Sequence, residues 1–414
     1  MTDATLGARV GQTRLLALIL PATGALYAIY NAVQNIYLPA SLEAVDPARK
    51  IERLAIITTL LSVASIVALP LGGALSDRTR SRFGRRTPWL VGSALAAAAV
   101  LLLAFRPAYG VVFLGLGCAL LWFTLNLYQA AITAVLPDRV PPARRGLASS
   151  IIGLATPLGL VAGLNLAANL GPRAGHLVLA AALVVLTLAF VLGAPEGPSP
   201  VAPDLPREPV FGRRLLAVFE GFRDRDFRLA FFSGALFFLS VLLISNYTYY
   251  IFSDYIGLDD LPRHDAAHGT TVALTINVAV WVPTSVLFGY LADRYRRHKL
   301  YVVVASVGMG LSLLFPLFLP TWTGIVLYTV AGGIAFGVYM AVDLALMSLV
   351  LPDRRRQGRD LAVLAVAGSG AELLSPALGG GIIALTGGYG ALFAAGAVGT
   401  IISGLIAWRI KGVR

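Results

Sequence analysis

Cysteine is nearly absent from this chain: Cys118 stands alone among 414 residues. An intramolecular disulfide is excluded, and so is a cysteine-based metal cluster. Cys118 lies inside an apolar run and reads as a packing residue. Histidine is also scarce. His176, His264, His268 and His298 fall in loops or at the ends of apolar runs. Their spacing suggests neither a metal site nor a nucleophile–base pair. Charge is the third shortage. Only 13% of the residues are charged, against about 25% in a soluble protein. A soluble enzyme is excluded by this composition. No catalytic motif is found, and neither a cofactor nor a metal is expected.

Apolar residues take the place of the missing charge. They make up 57% of the chain, with a mean hydropathy of +0.78. A bilayer core about 30 Å thick needs roughly 20 apolar residues per spanning helix. Twelve such runs are present, at 15–40, 53–76, 88–106, 108–136, 146–170, 174–193, 229–256, 268–292, 300–319, 322–350, 360–387 and 388–410. The expected fold class is an all-α membrane protein with twelve transmembrane helices. The short basic start at Arg9 and Arg14 leads into an apolar stretch too long for a cleavable signal.

The net charge of +12 would suggest nucleic acid in a soluble protein. Here the basic residues lie in short loops, where they set topology instead. With both termini inside, 27 of the 33 basic residues fall on the cytoplasmic side. Only Arg49, Lys50, Arg53, Arg106, Arg173 and Arg263 fall outside. The positive-inside rule therefore favours cytoplasmic termini in the cell inner (plasma) membrane, and the partners expected are the bilayer and a small molecule, not nucleic acid.

The longest loop, 194–228, divides the chain. It opens with six prolines between Pro195 and Pro209, as an extended linker would. Phe211, Leu215, Phe219 and Phe222 then share one face at helical spacing, with Arg213 and Arg214 off it. That pattern suits an amphipathic helix on the membrane surface. The expected organisation is a six-helix bundle over 1–193, this linker, and a second six-helix bundle over 229–414.

The halves repeat one another. Gly73-Ala-Leu-Ser-Asp77-Arg78 follows the second run and Gly289-Tyr-Leu-Ala-Asp293-Arg294 the eighth, 216 residues on. Leu136-Pro-Asp138-Arg139 follows the fourth run and Leu351-Pro-Asp353-Arg354 the tenth, 215 residues on. Two motifs sharing almost one offset indicate parallel repeats, which place a substrate site near the midplane between the halves.

The stretch Asp77-Arg78-Thr-Arg80-Ser-Arg82-Phe-Gly84-Arg85-Arg86-Thr-Pro88 resembles the signature between helices two and three of the major facilitator superfamily. Its full form, with Ala341-Val-Asp343 and Arg359-Asp360-Leu, is similar to the glycoside–pentoside–hexuronide and sucrose-proton symporter branch. The resemblance implies a transporter working by alternating access. It departs from that branch in two places. The second run, Ile56 to Val67, holds no acid of the kind that binds sodium in melibiose-type members. The acid in helix four and the arginine in helix five of the sucrose-type members are also missing.

A cytoplasmic gate is expected from Gly73, Asp77, Arg78, Arg82, Gly84, Arg85 and Arg86, with a weaker copy at Asp293 and Arg294. The carboxylate would pair with arginines or a helix N-terminus in one access state. Gly73 would allow close helix approach and Gly84 a tight turn.

Only two acids lie deep in apolar runs, Asp343 and Glu372. Burial in hydrocarbon disfavours a charged carboxyl, and such residues often mark proton pathways. Both are candidates for proton coupling. Polar and aromatic residues share helix faces at Tyr27, Asn31 and Gln34; Trp122, Asn126 and Gln129; Asn246 and Tyr250; Asn277 and Trp281; and Tyr339 with Asp343. Amides can hydrogen-bond hydroxyls, and aromatic faces can stack on sugar rings. No deep arginine is present to clamp an anion. The expectation is proton-coupled symport of a neutral sugar or glycoside by a monomer. The alternative is proton-coupled efflux of lipophilic drugs or metabolites.

Overall fold

The computed structural model describes residues 3–105, 109–197, 221–295, 297–349 and 357–411. Among these residues there are helices and turns but no strand. In hydrocarbon each backbone N–H and C=O must be satisfied within the segment, and a helix does this along one continuous run.

Ten described segments are long and apolar enough to cross a membrane. One of them, Ala148–Gly193, is two helices in line, because Gly171 leaves helical geometry (φ 68°, ψ 171°) just before Pro172. Gln357–Thr386 adds a further helix of 30 residues. The twelve are α1 (Gln12–Val45), α2 (Pro47–Arg78), α3 (Thr87–Ala104), α4 (Gly110–Arg139), α5 (148–170), α6 (172–193), α7 (Arg225–Ser245), α8 (Ala266–Tyr295), α9 (His298–Phe318), α10 (Trp322–Leu349), α11 (Gln357–Thr386) and α12 (Gly390–Trp408). The seventh helix starts at Arg225, four residues before the apolar run, because the Asp224 carboxylate caps it by accepting from the Phe227 N–H at 2.9 Å. The expected amphipathic segment around Phe211 lies outside the described residues.

The chain separates into two compact units, Met1–Leu205 and Pro206–Arg414. In the first, α1 packs along α5 and α6, α2 and α3 both pack on α4, and α3 also packs on the α5–α6 segment. In the second, α7 packs along α11 and α12, α8 and α9 both pack on α10, and α9 packs on α12. Each unit thus has the same internal neighbours in the same order. Both first helices also widen into a π-turn, Val33–Tyr37 within α1 and Ile251–Gly257 after α7.

Small residues hold these bundles together, since lipid offers no hydrophobic drive between helices. Gly159 and Gly163 of α5 form a Gly-x-x-x-Gly pair against α1. A Cβ at Gly159 would come within 2.8 Å of Tyr27 Cβ, and one at Gly163 within 2.7 Å of Ala28 Cα. On α7 and α12, Ser233 and Ser403 exchange hydrogen bonds with each other's backbone carbonyls at 3.0 and 2.8 Å. Cys118 is fully buried, as its apolar setting requires.

Candidate functional site

The arginine-rich turn between α2 and α3 forms a charge network with the adjoining helix ends. Ser81 and Gly84 close the turn, with the Gly84 N–H donating to the Ser81 carbonyl at 3.1 Å. Gly84 has φ +90°, which favours glycine, and a Cβ there would collide with the Glu196 side chain. This turn swings Arg86 back beneath α2. Its guanidinium donates to Ser76 Oγ at 2.5 Å, to Asp77 Oδ1 at 2.5 Å and to Asp138 Oδ2 at 3.0 Å. Arg85 pairs with the other Asp138 oxygen at 2.6 Å. The Asp138 carboxylate at the end of α4 therefore bridges two arginines.

A third carboxylate closes the network from just beyond α6. Glu196 Oε2 accepts from the Arg86 N–H at 2.9 Å and the Thr87 N–H at 3.2 Å. It sits on the free amides at the start of α3, where the helix dipole favours an anion. Arg139 donates to the Ala194 and Pro195 carbonyls at 2.7 and 3.1 Å, binding α4 to the segment that carries Glu196.

Several sequence expectations shift here. Arg78 and Arg82 are exposed and take no part in the network; Arg82 lies over the Phe83 ring at 4.7 Å. The close approach expected at Gly73 belongs to Gly72. A Cβ at Gly72 would meet Ala130 Cβ at 3.0 Å, whereas one at Gly73 meets nothing within 4 Å. The second copy is not an arginine latch among the described residues. Asp293 is 86% exposed with His298 Nε2 at 3.7 Å, and Arg294 is exposed. The repeat puts Ala292 where the first copy has Ser76, so that acceptor is missing, and Arg297, which takes the place of Arg86 just before α9, is exposed. Asp353, counterpart of Asp138, lies outside the described residues.

The polar helix faces divide into two groups. In the first unit Tyr27, Asn31, Gln34 and Gln129 are half-buried. The Asn31 amide donates to the Tyr27 carbonyl at 2.8 Å, and the Gln129 amide makes no hydrogen bond within the described residues. The Tyr30 ring lies 6.3 Å from Tyr27 and 5.1 Å from Trp122, so aromatic contact runs from α1 to α4. The other group is committed to packing. Asn126 donates to Ser65 Oγ at 3.0 Å, joining α4 to α2. Asn277 donates to the Thr329 carbonyl at 3.3 Å, joining α8 to α10. Asn246 donates to Ser375 Oγ at 2.9 Å, joining α7 to α11. Tyr250 is fully buried, and Tyr339 is stacked face to face on Phe237 at 3.5 Å inside the apolar core of its unit. Trp281 stands edge-on to Phe336 at 5.9 Å.

The two deep acids differ in setting. Asp343 is half-buried on α10 and accepts a hydrogen bond from the Tyr339 hydroxyl one turn away. Glu372 presents an exposed side chain on α11.

This arrangement can be compared with known proteins. The family model described as "Major Facilitator Superfamily" matches residues 17–328 and 263–413. The chain belongs to the major facilitator superfamily. It is a multi-pass membrane transporter rather than an enzyme. No curated protein matches this facilitator in sequence. Solved structures share its fold at low identity. The nucleoside transporter NupG is 13% identical, with a TM-score of 0.75 over 96% of this chain and 99% of that one. A bacterial homolog of the human lysosomal transporter Spinster is 13% identical, with a TM-score of 0.67 over 97% and 94%. A POT family transporter in complex with a thioalcohol-conjugated peptide is 14% identical, with a TM-score of 0.72 over 96% and 95%.

Ser76, Asp138 and Glu196 were missing from the residues expected at the facilitator's gate. Asp138 was visible as half of a repeated Leu-Pro-Asp-Arg motif. Glu196 carried no periodic signal, because it follows Pro195 in a linker and acts on an amide 110 residues earlier.

Proposed function

We propose that this facilitator is a proton-coupled symporter of a neutral sugar or glycoside, working by alternating access in the cell inner membrane with both termini cytoplasmic. Residues 1–193 and 229–414 act as the two moving bundles and 194–228 as their tether. Proton coupling rests on Asp343, a half-buried acid in a membrane helix with a tyrosine hydroxyl as partner. An acid held that way can bind a proton on one side of the cycle and release it on the other. Glu372 is the second candidate carrier. The neutral-substrate reading rests on Tyr27, Asn31, Gln34, Trp122, Gln129 and Trp281, amides and aromatic rings with no deep arginine among them.

The gate reading rests on Asp77, Ser76, Arg85, Arg86 and Asp138. Arg86 and Asp138 stay paired as the fixed part of the network, Asp77 joins them in one access state, and release of the Asp77–Arg86 contact permits the other.

Purified protein in liposomes, given labelled disaccharides with and without an imposed pH gradient, tests the function. Saturable sugar accumulation that collapses with the gradient is expected. Gradient-driven export of lipophilic dyes with no sugar uptake would overturn the reading.

A further inference from the structure

Helices α7, α11 and α12 leave a groove of about 520 Å³ on the surface of the second unit. Its walls include Phe231, Phe232 and Leu239 of α7, Val366 and Leu374 of α11, and Ile406 of α12, and none of its lining residues is polar. Phe232, Val366 and Leu374 are each more than half exposed. Gly370 forms part of the lining, and a Cβ there would meet nothing within 4 Å. Such an apolar surface on membrane-spanning helices suits a lipid acyl chain.

The groove has a charged mouth at one end. Arg228 precedes Phe232, Ala235 and Leu239 by four, seven and eleven residues, which places it on the groove face of α7. Arg409 follows Ile406 by three residues on the same side of α12. The two arginines are level with one another. The Asp226 carboxylate accepts from the Lys411 N–H at 3.2 Å, and Ser233 meets Ser403 one layer deeper, so position 228 lies opposite 409. Both arginines are exposed and make no ion pair among the described residues. Trp408, 58% exposed beside Arg409, carries Lys299 over its ring at 5.2 Å, as an aromatic anchor at the headgroup level would.

The dimensions match one leaflet. From Arg228 to Leu239 is eleven residues, or about 16 Å along a helix. Half of a hydrocarbon core is about 15 Å. We propose that the α7–α11–α12 seam binds an anionic phospholipid, with its headgroup phosphate on Arg228 and Arg409 and one acyl chain in the groove. Charge selects this occupant over a neutral lipid: two guanidinium groups without an ion pair among the described residues stand at one end of an apolar slot. The inference is independent of the substrate and coupling proposed above.

Native mass spectrometry of the full-length protein with phosphatidylglycerol or phosphatidylcholine of matched chains tests it. Wild type is expected to retain phosphatidylglycerol about fivefold or more over phosphatidylcholine, the preference one basic residue at a membrane surface sustains. The R228Q/R409Q double variant should bring that ratio to near one. G370L should reduce retention of phosphatidylglycerol by filling the slot, at a position where the added side chain meets open space. Equal retention of both lipids by wild type overturns the proposal, as that marks a plain hydrocarbon crevice. So does displacement of phosphatidylglycerol by millimolar inorganic phosphate, which marks an anion site that does not use the groove. If the double variant aggregates on size exclusion, G370L decides alone, and unchanged retention by it overturns the proposal.

Discussion

Arg86 and Asp138, 52 residues apart in sequence, meet at 3.0 Å where α2 and α4 end and α3 begins. The arginine is 6% exposed and Asp138 is 19% exposed, whereas Asp77 on the same guanidinium is 54% exposed. This asymmetry separates a buried contact from a weaker, exposed one. Removing one member of a buried pair costs about 3–5 kcal/mol, because the other charge is left stranded. An exposed pair contributes only about 0–1 kcal/mol. The Arg86–Asp138 contact therefore holds the unit together, and the Asp77 contact is the weaker one, as the gate proposed above requires.

Arg86→Gln should lower the unfolding midpoint of the purified transporter clearly, with a cost toward the lower end of that buried range because Asp138 retains Arg85. Asp77→Asn should leave the unfolding free energy within about 1 kcal/mol of wild type while strongly reducing uptake. Thermal unfolding in detergent, paired with uptake in liposomes, separates the two. Equal destabilisation by both variants would show that Asp77 is structural and not part of a gate.

Glu196→Gln should loosen the start of α3. A carboxylate at a helix N-terminus contributes about 0.3–1 kcal/mol, rising to about 2 when partly buried. Hydrogen exchange at the Arg86 and Thr87 amides should quicken, with α4 unaffected. Unchanged exchange at both amides would mean that Glu196 contributes nothing to the cap.

The fold was legible because its causes are periodic. Apolar runs, basic loops and two motifs at offsets of 215 and 216 report helix number and repetition directly. The site was less legible, because hydrogen-bond partners come from other helices. Asn126, Asn246 and Asn277 share helix faces with aromatic residues, as substrate ligands would, yet Ser65, Ser375 and Thr329 take their amides. Nothing in a single helix's spacing reveals the residue that faces it. The glycines show the same limit: Gly72 and Gly73 are adjacent and identical, and only the position of α4 decides which one needs to be small.

Gly163→Val should be among the most disruptive single changes in the first unit. The added Cβ would fall within 2.7 Å of Ala28 Cα, so α1 and α5 must separate. Overpacking of this kind costs about 1–3 kcal/mol or more. Gly73→Ala is the matched control and should unfold like wild type, since its Cβ meets nothing within 4 Å. A smaller loss at Gly163 than at Gly73 would show that the α1–α5 contact is looser than the geometry requires.

Asp343→Asn tests the proton pathway separately from substrate binding. The amide keeps the size of the carboxyl and can still accept from Tyr339, so Phe237 and Tyr339 should remain stacked. It cannot carry a proton. Gradient-driven accumulation should therefore fall to background, while exchange of internal for external sugar at equal pH should persist, because that half-cycle needs no net proton movement. Glu372→Gln provides the comparison: if it abolishes accumulation and Asp343→Asn does not, the carrier is the exposed acid of α11. If Asp343→Asn leaves uphill uptake at the wild-type level, coupling through α10 is wrong.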